Sequence, residues 1–182
     1  MRPDYPLSTE RLLLRPLELG DAEAVHSYQS LPEFCRYVPY EPRSLDEVAE
    51  RIARPTGSTL EHEGDALVLG VVRRADGVLV GDVMLRWVSE EHAGGELGYG
   101  FHPSYRGNGY ATEAARALLD LAFGPLGWHR VIARIDARNT ASAAVLERLG
   151  MRREAYLREN EWFKGEWGDE IDYAVLASEW RG

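Results

Sequence analysis

The sequence predicts a mixed α/β (α+β) fold: a mostly antiparallel central sheet flanked by helices. Three observations lead there. Residues 66–73 and 78–87 are apolar, β-branched runs on either side of Asp76-Gly77, which is the signature of a hairpin. Residues 96–101 read as a strand that leads through a glycine loop into a helical pattern and then into residues 131–135, a buried strand. That order makes one parallel crossover unit. Residues 155–158 and 171–176 read as a closing antiparallel pair.

The elements follow in order. Leu12-Leu13-Leu14-Arg15 is a first short strand stopped by Pro16, and Asp21 caps a helical stretch running to about Gln29. Ser44-Leu45-Asp46-Glu47 is a capping-box pattern opening a second helix, with Leu45, Val48 and Ile52 on one face and Pro55 and Gly57 ending it. After the hairpin, Gly94-Gly95 reads as a bend into the central strand, whose internal Gly98 and Gly100 point to a bulge or to a close backbone approach. Ala111, Ala115, Leu118 and Ala122 recur at helical spacing with Leu121 beside them, until Gly124-Pro125. A last helix spans 139–149, with Gly150 as its C-cap.

A chain of 182 residues suits one domain (1–182) and buries a core without disulfides or metals. The N-terminus lacks the apolar stretch of a signal peptide, and no run approaches the roughly 20 apolar residues of a membrane span. The expectation is a cytoplasmic protein with no membrane partner. Cys35 is the only cysteine, so neither an intrachain disulfide nor a cysteine zinc cluster can form. It reads as a small helix-face or pocket residue. The five histidines show no ligand spacing, and His129 reads as a packing residue. No metal is expected. A net charge of −9 argues against a nucleic-acid partner. It fits a cationic acceptor, or solubility alone.

The segment at 96–123 carries the chemistry. Gly107 and Gly109 permit backbone conformations most residues resist, so successive N–H groups can face one anion. The loop opens onto a helix N-terminus, where unpaired N–H groups and the dipole favour negative charge. Arg106 can add a charged donor. This suits a pyrophosphate. It is not a P-loop, which requires a lysine, and Thr112 stands where a dinucleotide fingerprint needs its third glycine. A glycine turn without a ligand is the plain alternative.

Arg106-x-x-Gly109-x-Ala111 resembles the coenzyme A loop of the GNAT superfamily of N-acetyltransferases, and the run ELGYGFHPSYRGNGYATEAA (96–115) is similar to that family's fourth strand and following helix. Asn139-x-x-Ser142 with Leu149-Gly150-Met151 resembles its next motif. Thr9-Glu10-Arg11-Leu12-x-Leu14-Arg15 and the closing Arg158-Glu159-Asn160, Asp169 and Tyr173-Ala174-Val175-Leu176 are similar to the ribosomal-protein N-terminal acetyltransferase branch. The resemblance implies a bacterial acyl-CoA-dependent N-acyltransferase with splayed fourth and fifth strands. Acetyl-CoA would be the co-substrate and a primary amine, on a small molecule or a protein, the acceptor. A homodimer is a family habit.

By the same resemblance, backbone amides of Arg106, Gly107, Asn108, Gly109, Tyr110 and Ala111 would hold the pyrophosphate. Phe101 and His102 would bond the pantetheine arm through their backbones, and Asn139 through its side chain. Attack of the amine on the thioester needs a base and an oxyanion donor. Glu96 is the candidate base, or else a structural carboxylate paired with an arginine; Glu159 and Glu161 are alternatives. Many family members place a tyrosine acid where this chain has Leu146. Ser142 is the substitute, as acid or hydrogen-bond donor to sulfur, or else it is a helix-start hydroxyl. Tyr37, Trp162 and Trp167 line an acceptor pocket or pack, and residues 32–42 form its lip or a simple loop. A non-catalytic acyl-CoA-binding module is the alternative function.

Overall fold

The computed structural model describes residues 3–54 and 58–182. The strands are β1 (Leu7–Ser8), β2 (Leu12–Pro16), β3 (Ala66–Arg73), β4 (Leu79–Ser89), β5 (Gly94–Phe101), β6 (Arg130–Asp136), β7 (Arg152–Phe163) and β8 (Glu166–Leu176). The helices are α1 (Ala22–Gln29), α2 (Pro32–Cys35), α3 (Leu45–Ala53), α4 (Tyr110–Phe123) and α5 (Thr140–Arg148). The strands form one sheet in the order β1-β2-β3-β4-β5-β6-β8-β7. β5 and β6 pair in parallel, joined by α4 as the crossover, while the other neighbours are antiparallel.

One face of the sheet carries the larger core. Alternation along β4 and β5 sends Val83, Leu85, Leu97 and Phe101 into it. They meet the Ala114, Ala115, Leu118 and Ala122 stripe of α4, whose small residues let the helix lie close to the strands. The opposite face is covered by α1, α2 and α3 through Val25, Tyr28, Phe34 and Val48. Ser44 caps α3 as expected: its hydroxyl accepts from Glu47 N–H, and Glu47 reaches back to Ser44 N–H. The expected stop at Pro55 and Gly57 lies outside the described residues.

Several expectations are corrected. Asp21 does not cap α1 with its side chain, because Arg15 holds both carboxylate oxygens at 2.7 and 2.8 Å. Gly94 and Gly95 belong to β5 rather than to a bend, and Gly95 is there because Trp128 lies on it: a Cβ would stand 1.9 Å from that ring. Trp128 is therefore the packing residue, and His129 is exposed. No bulge occurs at Gly98 or Gly100, since the β4–β5 register runs unbroken from Gly81↔Phe101 to Trp87↔Gly95. Close approach explains Gly100, whose Cβ would come 2.7 Å from the Phe34 ring. The helix α2 and the two-residue β1, both too short to show a period, were not read from the sequence.

Candidate active site

The site begins where β5 and β6 part. Their parallel pairing covers Gly94↔Arg130, Gly95↔Val131 and Glu96↔Ile132, and stops there. His102 N–H donates to Val80 O, so by antiparallel alternation the even residues of β5 bond β4. Tyr99 and Phe101 therefore turn their N–H and C=O groups toward the edge that β6 has left. Both main-chain groups of His102 are engaged, the carbonyl by Tyr105 N–H. Its ring Nδ1 accepts from Ser104 N–H, closing the short turn after β5.

Gly107 (φ +80°) and Gly109 (φ +79°) both adopt the left-handed region, and a side chain at Gly107 would meet open space. Arg106 N–H donates to Pro103 O. Beyond it, the N–H groups of Gly107, Asn108, Gly109, Tyr110 and Ala111 have no acceptor among the described residues. The exposed Arg106 guanidinium stands beside them. Five free donors on a left-handed loop at the start of a 14-residue helix fit a pyrophosphate.

The loop is anchored by residues that sequence reasoning assigned no role. Glu113 Oε1 accepts from Thr9 Oγ1 (2.5 Å) and Arg11 N–H (2.8 Å), and Oε2 accepts from Arg11 Nε (2.7 Å). Arg11 Nη1 then donates to Asn108 O at 3.0 Å, and its guanidinium lies 4.9 Å over the Tyr110 ring. The Thr9-Glu10-Arg11 motif was the available signal, and its contacts span about a hundred positions.

A cleft of about 650 Å³ runs from α3, over Gly98 and Gly100, to the start of α5. It exists because two positions of β5 on that face lack side chains. Tyr37 lines it with Phe34 and Tyr40, so the segment 32–42 does form a wall. Trp162 and Trp167 do not line it. They are exposed at the β7–β8 turn and pack edge-on at 5.3 Å. A second hollow of about 320 Å³ adjoins the cleft, sharing Tyr37, Glu96 and Arg134 and adding Glu161. Glu159 is exposed, with its N–H on Asp169.

Glu96 faces both hollows and is held by Arg134, whose Nε and Nη2 donate at 3.2 and 3.0 Å. Asn139 and Ser142 close the cleft's far end. Asn139 Oδ1 accepts from Ser142 N–H and caps α5, which leaves its amide N–H groups to donate. Ser142 is thus not itself the cap, and its hydroxyl lies within hydrogen-bonding reach of the Tyr99 phenol. Tyr99 O–H donates to Ser142 O at 3.1 Å, and burial pushes that phenol far up. Leu146 is fully buried in the core.

Deeper in the cleft Asp82 accepts from the Tyr28 hydroxyl at 2.5 Å, and burial raises its carboxyl. Among the described residues, no group of three or more His, Cys, Asp or Glu could hold a metal ion, and no helix is long and apolar enough to cross a membrane.

The family model described as acetyltransferase (GNAT) domain matches residues 11–152. The chain belongs to the GNAT acetyltransferase family. It is an acyl-CoA-dependent N-acetyltransferase by that membership and its relatives. The uncharacterized N-acetyltransferase YnaD of Bacillus subtilis (strain 168) is 32% identical over 174 residues, covering 96% of this chain and 98% of that protein. The crystal structure of an acetyltransferase (GNAT family) from Bacillus anthracis matches with TM-score 0.84 at 34% identity, covering 94% of this chain and 98% of that one. The spermidine N(1)-acetyltransferase of Escherichia coli (strain K12) is 25% identical over 169 residues, covering 93% of this chain and 88% of that protein. The splay that the resemblance placed between the family's fourth and fifth strands falls between β5 and β6 of this chain.

Proposed function

We propose that this GNAT domain transfers an acetyl group from acetyl-CoA to a primary amine by direct attack within a ternary complex. One observation carries the reading: the row of free N–H groups at Gly107–Ala111 stands at the end of β5, whose free edge opens into the cleft. When bound, acetyl-CoA supplies the thioester carbonyl that the amine attacks.

The chain's residues divide the remaining work. Gly107, Asn108, Gly109, Tyr110 and Ala111 hold the pyrophosphate through backbone N–H groups, with Arg106 adding charge. Phe101 and Tyr99, rather than the engaged backbone of His102, meet the pantetheine arm along the free edge of β5. Asn139 donates to the same arm through its amide. A free N–H of β5 serves the developing oxyanion. Glu96, oriented by Arg134, takes the proton of the incoming ammonium through water. The Ser142 hydroxyl bonds the departing sulfur. Tyr99 is unsuited to protonating it, because its raised phenol gives up a proton reluctantly and already donates to Ser142 O.

The test is calorimetric titration with acetyl-CoA beside ATP and NAD, followed by thiol release on an amine panel. Wild type binds acetyl-CoA and not the controls. Gly109→Glu loses that binding while folded, since it puts a charged side chain at a left-handed position 3.4 Å from Arg11. Glu96→Gln keeps acetyl-CoA binding, lowers kcat by about 10²-fold or more and flattens the acid limb of the pH–rate profile. Binding of acetyl-CoA without thiol release on any amine would instead establish a non-catalytic binding module.

A further inference from the structure

The cleft differs in charge from the chain that forms it. The whole chain carries −9, yet arginines dominate the wall of the cleft built by α3 and the segment before it. Arg51, on the last turn of α3, lines the cleft with its guanidinium free of any hydrogen bond or ion pair among the described residues. Arg43 stands close enough for the two cations to repel, and burial together with that repulsion lowers Arg51. Arg43 is positioned by Gln29 Oε1 at 2.6 Å and by stacking 3.5 Å over the Tyr40 ring, which leaves most of its five donors unused.

The other charges of the cleft answer them only in part. Glu96 is held by Arg134, and Asp136 by Arg138. Asp82 is the remaining carboxylate: it attracts both arginines, but it is already hydrogen-bonded by Tyr28 and Gln29, and burial raises it. Arg43 and Arg51 against Asp82 leave one surplus positive charge on the inner wall, and the exposed Arg54 after α3 adds to the field. Two cations held together with one carboxylate between them are costly in the free protein and suited to a further anion.

We infer that the acceptor of this enzyme carries a carboxylate alongside its amine, and that Arg51 and Arg43 receive that carboxylate at the α3 end of the cleft. The inference rests on the acyl-transfer reading of the cleft and narrows it to amino-carboxylates. A single carboxylate neutralises the surplus charge, and the planar guanidinium fork matches its two oxygens. The amine then extends along Gly100 and Gly98 toward Glu96. A polyamine, which brings only positive charge, meets Arg51 and Arg43 with repulsion.

The experiment is thiol release from acetyl-CoA on matched acceptors: ω-amino acids of three to eight carbons, the alkylamines of equal length, and spermidine. Wild type is expected to favour the amino acid over its matched alkylamine by about tenfold to a hundredfold in kcat/KM at the best chain length, mostly through KM. Arg51→Gln should collapse that ratio toward one, and Arg51→Glu should invert it. Arg51 is exposed, so both variants are expected to fold, which circular dichroism checks. A wild type that prefers alkylamines or spermidine overturns the inference while leaving acyl transfer standing. So does an Arg51→Gln variant that keeps the ratio. Absence of amine-dependent thiol release on every acceptor tested overturns the transfer reading and this inference together.

Discussion

Replacing Glu113 by alanine tests whether the first strand and the phosphate loop are one mechanical unit. The carboxylate accepts from the Thr9 hydroxyl, from Arg11 N–H and from the Arg11 guanidinium, and its side chain is 17% exposed against 45% for Arg11. Hydrogen bonds to a buried charge contribute about 1.5 kcal/mol each at the low end. The ion pair, discounted for the exposure of Arg11, adds about 0.5 kcal/mol. Together these come to about 5 kcal/mol, and because water reaching the freed donors recovers about half, removal should cost roughly 2–3 kcal/mol. For a chain of this size that is a fall of about 5–10 °C in Tm. Arg11, freed from Glu113, no longer fixes Asn108 O, so the loop must be ordered on binding and acetyl-CoA affinity should fall by about three- to tenfold. Glu113→Gln, which keeps the shape and part of the hydrogen bonding, should show about half of each effect. Differential scanning calorimetry and titration calorimetry on the same samples read both quantities. An alanine variant within about 0.5 kcal/mol of wild type would refute the anchoring argument. A full stability loss with unchanged acetyl-CoA affinity would refute the coupling of anchor to loop.

Two further outcomes follow from the same structure. Burial raises Asp21, Glu113 and Asp136, but hydrogen bonds from Arg15, from Thr9 with Arg11, and from Arg138 outweigh it, so each carboxyl ends below its ordinary value. A depressed folded pKa contributes stability that is present above the unfolded value of about 4 and is lost as pH falls through the folded values. The urea midpoint should thus fall steadily below about pH 5, less steeply in Glu113→Gln, and a midpoint flat to pH 3 would contradict this. Gly95→Ala should cost about 2–3 kcal/mol in a denaturation curve, because its Cβ would lie 1.9 Å from Trp128, a ring only 4% exposed in the core. A near-neutral result would mean that the ring can move aside.

The architecture was legible in the sequence where a period or a cap was long enough to read. The β3–β4 hairpin turned at Asp76-Gly77, α3 began at its Ser44–Glu47 box, and the α4 stripe lies against the sheet. The left-handed backbone of the loop before α4 was legible too, because Gly107 and Gly109 are the residues that adopt it without strain. Roles that depend on partners remote in the chain were not legible. Asp21 looks like a cap until Arg15 takes its oxygens, and Gly95 looks like a bend until Trp128 covers it. His102 matches its motif, yet its N–H belongs to Val80.

By itself the sequence determined the crossover unit, the left-handed glycine loop before α4 and the family, since local backbone preference and ordered motifs are written in consecutive residues. The tertiary structure alone decided which β5 amides stay free, which residues anchor the loop, and that a chain of charge −9 lines one wall of its cleft with arginines in excess of carboxylates. Those outcomes depend on which distant side chains converge and which hydrogen bonds are already taken, and only packing settles that competition.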